Sequence, residues 1–131
     1  MDLQQCWTHY LKAEQLLEQG HWPEAHYLYE LVLSHLPSHL QDALMDNETK
    51  PCQFSCLVTG LRDAAVSQSE ILNKMGQHQQ AFDLLNQTYA QLQFVSIESF
   101  DLVQATQHVI QNQCEDLLRH MGAFSSAQRS A

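Results

Sequence analysis

Residues 16–25 read LLEQGHWPEA, and they decide the fold because they hold the end of one helix, a sharp turn and the start of another. The apolar residues that lead up to Gly20 recur at helical spacing. Glycine tolerates the left-handed conformation that often follows a helix, so the first helix is expected to end there. Pro23 suits a first helical turn, and the apolar residues after it keep helical spacing until Pro37. The stretch therefore predicts helix pair 1 at about 2–36.

The same patterns divide the rest of the chain. Polar residues bounded by prolines predict a connector at 37–52. Helix pair 2 is predicted at about 53–94, and Gly60 is the weak point of its long first helix because glycine destabilises a helix interior. A terminal helix at about 97–121 and a short tail complete the chain. No segment alternates as a strand does, so we expect one all-α domain of about five long helices, 1–131.

Composition restricts the classes of function. The 131 residues are 44% apolar and 16% charged, which suits one packed core. The formal net charge of −9 repels phosphate backbones and anionic lipid, so neither nucleic acid nor a membrane is an expected partner. No leader-like or membrane-spanning apolar run occurs, so a cytoplasmic location is expected. Free buried thiols are expected at Cys6, Cys52, Cys56 and Cys114.

Three stretches share one signature: Leu, three residues, Gly, one residue, an aromatic or imidazole ring, two residues, Ala. The glycine permits a sharp reversal, and the alanine lets the second helix approach the first closely. A recurring turn of this kind indicates a repeated helix pair. The three sets are Leu16, Gly20, Trp22 and Ala25; Leu72, Gly76, His78 and Ala81; and Leu118, Gly122, Phe124 and Ala127.

The signature resembles the tetratricopeptide repeat, and the resemblance covers residues 6–37 best. Two helix-A positions depart from the family, with His9 for its Trp and Ala13 for its Gly, and the glycines lie 56 and 46 residues apart. The family repeats every ~34 residues, so the resemblance implies a divergent array with inserted connectors. An ordinary antiparallel bundle is the alternative. The matching residues are Gly20, Trp22, Glu24, Ala25, Tyr29, Val32 and Pro37.

The resemblance implies a non-catalytic interaction module or chaperone-like adaptor, similar to the small tetratricopeptide-like chaperones of bacterial secretion systems. Its groove would hold a basic or amphipathic peptide or helix of another protein, because the implied lining is mostly acidic. Trp7 has a second interpretation, as a filler of the first helix pair. The residues carried over as partner-binding are Trp7, Tyr10, Glu14, Glu18, Asp63, Val66, Glu70, Lys74, Asn112, Asp116 and Arg119.

Catalytic and metal chemistry are the alternative function, as a small helical metal sensor or enzyme using His and Cys side chains. His35 and His39 have the i,i+4 spacing of helical metal ligands, but Pro37 lies between them. Cys52 and Cys56 lack a second closely spaced pair to complete a tetrahedral site. We therefore expect neither an enzyme nor a bound cofactor or metal.

The terminal helix carries an apolar stripe that includes Val103, Ile110 and Leu117. A terminal helix normally needs a polar outer side, so the stripe predicts a homodimer that covers it symmetrically. In the competing interpretation, the segment around Leu40 and Leu44 folds back over the stripe and the protein is a monomer.

Overall fold

The computed structural model describes residues 1–46, 48–95 and 110–119, and helices make up most of these ranges. No strand occurs within them, so the prediction of an all-α fold is confirmed. Each helix packs against the next along the chain, α1 on α2, α2 on α3 and α3 on α4. The helices are α1 at Leu3–Glu18, α2 at Trp22–Met45, α3 at Pro51–Lys74, α4 at His78–Gln93 and a helical segment α5 at residues 110–119.

Local signals set most helix ends where the sequence predicts them. The Asp2 carboxylate accepts a hydrogen bond from the backbone N–H of Gln5 at 2.7 Å, and the Gln5 side chain accepts one from the N–H of Asp2 at 3.0 Å. This reciprocal capping box starts α1.

Of the predicted terminal helix at about 97–121, only residues 110–119 are described, and its other residues and the tail lie outside the described ranges.

Both described glycine turns have the predicted left-handed geometry. Gly20 has φ 83° and Gly76 has φ 78°. The N–H of His21 donates to the carbonyl of Leu16 at 2.8 Å, and the equivalent bond closes the second turn at 2.8 Å. This is the bond pattern by which a glycine satisfies the last carbonyls of a helix and reverses the chain. The turns therefore join α1 to α2 and α3 to α4 with few connecting residues.

Pro37 lies inside α2, so the prediction of a connector at 37–52 is wrong. The helix continues to Met45 and leaves only a short link before α3. A proline in a helix interior costs about 3 kcal/mol, because a backbone hydrogen bond is lost. Leu36 and Leu40, on either side of it, are 0% and 2% exposed. Burying a leucine stabilises by about 1.5–3 kcal/mol, so core packing offsets the proline.

The apolar stripe of α5 is covered within the chain. Ile110 is 0% exposed and belongs to the main core, against which Leu44 also packs. Leu117 is 5% exposed and packs with Leu72 and Ala81 in a smaller cluster. The predicted dimer interface is therefore not available at these two residues, because the same chain already buries them. Val103, its third member, lies outside the described residues.

Candidate binding groove between the first and third helices

The indole of Trp7, on α1, lies over Gly60 in the middle of α3. A Cβ atom added at Gly60 would stand 2.5 Å from Cη2 and 2.6 Å from Cζ3 of the Trp7 ring. Carbon atoms in contact normally stay about 3.5–4.0 Å apart. Only a glycine admits the ring in this position, so the residue expected to weaken α3 is instead the point where α1 and α3 meet.

Three aromatic rings form a row from this contact into the core. Trp7 and Tyr10 are edge-to-face with ring centroids 5.8 Å apart, and Tyr10 and Tyr29 are edge-to-face at 6.3 Å. Such pairs add about 0.5–1.5 kcal/mol beyond the area they bury. Trp7 is half-buried, whereas Tyr29 is fully buried. Trp7 therefore fits both interpretations of its role, because it fills the gap between helices and also reaches the surface.

Beside Trp7 the two helices enclose an open depression of about 500 Å³, which we call the α1–α3 groove. Leu11 stands at its edge with 64% of its surface exposed. Leu11 is not among the partner-binding residues predicted from the sequence, although it follows Trp7 by four residues and shares its helix face. The groove is lined by Trp7, Tyr10 and Leu11 from α1 and by Ser55, Cys56, Thr59, Gly60 and Asp63 from α3.

Carboxylates act electrostatically on Tyr10, which lines the groove, and on Tyr29 behind it. Burial raises the pKa of Tyr10 most, followed by a hydrogen bond with Glu14 and by the negative charges of Glu14 and Asp63. Burial also raises the pKa of Tyr29, and the charges of Glu14, Glu70 and Asp63 raise it further. Glu14 and Asp63, from two helices, therefore act on both phenols, and Glu70 acts on Tyr29 alone.

Ion pairs neutralise part of this acidic lining. Arg62 binds its neighbour Asp63 through Nη2 at 2.6 Å and Nε at 2.7 Å. On α5, outside this groove, Arg119 forms an ion pair with Asp116 through Nη2. Among the described residues, no cation lies within ion-pair distance of Glu14 or Glu70. The uncompensated negative charge beside the groove therefore lies at Glu14, next to Tyr10, whereas Glu70 lines a separate depression.

The structure separates the predicted partner-binding residues into groups. Trp7, Tyr10 and Asp63 line the α1–α3 groove, and Glu14 lies beside Tyr10. A second depression of about 400 Å³, where α3, α4 and α5 meet, contains Glu70, Lys74 and Asp116. Val66 is partly buried and packs against the core. The remaining three are exposed and line neither depression: Glu18, Asn112 and Arg119.

The four cysteines are free, as predicted, but they are not all buried. Cys6 is buried, and its Sγ approaches the carbonyl of Val32 at 3.8 Å. Cys114 is partly buried, whereas Cys52 and Cys56 are exposed. The prediction of buried thiols is therefore wrong for the pair on α3. Their exposure matters because Cys56 lines the groove and Cys52, one turn earlier, does not.

A larger depression, of about 690 Å³, lies between α2 and α4. Its lining is mixed, with the amides of Gln68, Gln80 and Gln87 beside several leucines. Polar groups form a larger share of this surface than of the α1–α3 groove, so it offers a partner less continuous apolar area to bury. The α1–α3 groove, with exposed aliphatic and aromatic surface beside uncompensated charge, is the better candidate for recognition.

Several histidines already have polar neighbours in the structure. His26 Nδ1 lies 2.8 Å from Nε2 of Gln68, and His39 Nε2 lies 3.0 Å from the carbonyl oxygen of Met1. Within the described ranges, no group of three or more His, Cys, Asp or Glu side chains is arranged to hold a metal ion.

Comparisons with protein-family models, with curated proteins and with solved structures found no match for this chain. Among the described helices, none is both long and apolar enough to cross a membrane.

Proposed function

We propose that this protein is a non-catalytic interaction module whose α1–α3 groove binds a basic, amphipathic segment of another protein. The observation that supports the proposal is the juxtaposition of the apolar groove with the carboxylate of Glu14 beside it. Trp7 and Leu11 offer apolar surface, and Glu14 offers negative charge on the same helix face. A helix with an apolar stripe and flanking cations complements both features.

We further propose that the helices form a tetratricopeptide-like array, in which α1 and α3 are the groove helices of successive pairs. The left-handed glycines at both described turns support this architecture. Ala25 and Ala81, each five residues after its glycine, are both 0% exposed, as a close approach of paired helices requires. The first helix of each pair then faces the partner.

Apolar contact and charge would contribute differently to binding. Burying one leucine-sized side chain of a partner in the groove stabilises a complex by about 1.5–3 kcal/mol. The exposed carboxylates mainly accelerate encounter with a basic segment and reject acidic ones. A second copy of this protein is a poor occupant, because it would bring a molecule of net charge −9 against an identical acidic surface.

The two exposed cysteines provide a direct test. We would measure alkylation of Cys56 and Cys52 by iodoacetamide, by mass spectrometry, with and without a synthetic amphipathic helix of leucine, alanine and arginine. Because Cys56 lines the groove and Cys52 does not, the peptide should slow alkylation of Cys56 about tenfold and leave Cys52 unchanged.

Two controls make this footprint specific. The same peptide with glutamate in place of every arginine should protect neither thiol. The variant Leu11→Ser should reduce protection by the basic peptide, because it removes apolar surface at the groove edge without disturbing a buried residue. Equal protection of Cys52 and Cys56, or protection by the acidic peptide, would contradict the proposal.

A further inference from the structure

Gln68, a buried residue of α3, has a side-chain carbonyl without a hydrogen-bond partner. The residue is 4% exposed, and its Oε1 is unpaired within the part of the chain that the structure describes. Its amide nitrogen, in contrast, lies 2.8 Å from Nδ1 of His26 and donates to the backbone carbonyl of His26 at 3.3 Å. A buried acceptor without a donor is costly, so this carbonyl is suited to receive a donor from a ligand.

The contacts with His26 fix the orientation of this amide. The NH2 group of Gln68 has two hydrogens, and each of the two His26 acceptors takes one. Exchanging the nitrogen and the oxygen would place the side-chain carbonyl against the backbone carbonyl of His26, and two acceptors do not bond each other. The nitrogen is therefore held on α2, and the oxygen keeps its lone pairs.

The Gln68 side chain lines the depression of about 690 Å³ between α2 and α4, which we call the α2–α4 depression. The part of its lining that comes from α3 consists of Gln68 and Leu72, and these two residues form the floor between the two walls. The wall from α2 includes His26, which holds the amide nitrogen, and Glu30 one turn later. The unpaired acceptor therefore belongs to a residue at the floor of a cavity, close to the α2 wall.

The two walls carry one carboxylate each. Glu30 lies on α2 and Asp83 lies on α4, and both residues are exposed. Among the described residues, neither forms an ion pair, and neither lysine nor arginine lines the depression. Asp83 accepts a hydrogen bond from Gln79 at 2.9 Å, which leaves its charge in place. A ligand with a positive group at each end therefore complements both walls.

Aliphatic side chains are also part of the lining. Leu33 of α2, Leu72 of α3 and Leu84 of α4 each contribute to it. All three helices thus offer apolar surface beside the polar groups, and burial of methylene groups on such a surface is favourable. A ligand whose two positive groups are joined by a short hydrocarbon chain matches this combination.

We propose that the α2–α4 depression binds an aliphatic diamine. One ammonium group donates to the Gln68 carbonyl and to the Glu30 carboxylate, the other donates to Asp83, and the methylene chain packs on the leucines. An ammonium group has three N–H donors, so one end serves both the carbonyl and a carboxylate. This site is separate from the α1–α3 groove, and the inference does not depend on the proposed function.

The test is a titration of the ¹⁵N-labelled full chain with putrescine, which is butane with an ammonium group at each end. Butylamine is the matched control ligand, because it has the same hydrocarbon chain and a single ammonium group. We expect saturable shifts with putrescine at millimolar concentration, confined to residues around the depression and including the side-chain amide signal of Gln68. Butylamine should bind about fivefold more weakly, because it forms one exposed ion pair fewer.

Variants then assign the contacts. Glu30→Gln and Asp83→Asn should each weaken putrescine binding about fivefold, because each removes one exposed ion pair. Glu24→Gln is the matched control, since this exposed glutamate of α2 carries the same charge and does not line the depression. Gln68→Leu should also weaken binding, and because it removes a buried contact with α2, its spectrum is first compared with that of the wild type. The two surface variants test the site without disturbing a buried residue.

Three results would overturn the diamine site. The first is the absence of saturable shifts with putrescine, and the second is equal affinity for butylamine. The third is equal weakening by Glu24→Gln and Glu30→Gln, which would indicate diffuse attraction to a chain of net charge −9. Putrescine should also leave the alkylation rate of Cys56 unchanged, because Cys56 lines the other groove. Protection of Cys56 would place the diamine in the α1–α3 groove and contradict the inference.

Discussion

Replacing Gly60 by alanine should destabilise this protein, although the same change stabilises most helices. Glycine in a helix interior is about 0.8–1.0 kcal/mol less favourable than alanine. At this position the new Cβ would stand 2.5 Å from the Trp7 ring, so the indole must move by about 1 Å to restore normal contact. Overpacking of this kind typically costs about 1–3 kcal/mol. We expect Gly60→Ala to lower the free energy of unfolding by about 1 kcal/mol.

A double-mutant cycle isolates the contact. Urea unfolding of the wild type, Gly60→Ala, Trp7→Ala and the double variant would be followed by circular dichroism, which does not depend on the lost indole. In the Trp7→Ala background the ring is absent, so Gly60→Ala should stabilise by about 1 kcal/mol. The sign of the effect therefore reverses, with a coupling energy of about 2 kcal/mol. Ser55→Ala, on the same helix and groove, is the control without a clash.

An increase in the stability of the wild type on Gly60→Ala would refute this reasoning. So would additivity of the two substitutions, because independent sites have no coupling energy. Either result would mean that the indole does not lie over Gly60. The α1–α3 groove would then lose the contact that defines its floor.

Three further predictions follow from burial. Ala25→Leu should lower the melting temperature by several degrees, because this fully buried position has no room for a larger side chain. The exposed control Ala90→Leu should have little effect. Equal melting temperatures for the two variants would contradict the close packing of α1 and α2. Light scattering at micromolar concentration should give a mass near 15.0 kDa, because α5 buries its apolar stripe within the chain, and a stable dimer would contradict that account. At pH 8 a thiol reagent should modify the exposed Cys52 and Cys56 quickly and Cys6 and Cys114 slowly. Burial raises the pKa of Cys6 and of Cys114 and so lowers the fraction present as reactive thiolate. Four equal rates of modification would contradict this prediction.

From the sequence, the groove residues could be grouped by helix face within one helix, but not across the two helices. Trp7, Tyr10 and Glu14 follow one another at helical spacing, so their shared face can be derived from the chain alone. The sequence does not reveal that Gly60 lies under Trp7, or that Asp63 of α3 lines the same groove as Tyr10 of α1. These relations depend on how α1 and α3 are placed against each other, which no local spacing encodes.

The sequence by itself determined the features that depend on a few neighbouring residues. Gly20 and Gly76 end their helices because a left-handed residue completes the last hydrogen bonds locally. The all-α class follows from apolar spacing in the same way. The continuation of α2 through Pro37, and the burial of Ile110 within the chain, were decided only by tertiary structure. In both cases the burial of apolar side chains against distant residues outweighs the local preference, and that free energy exists only once the helices have assembled.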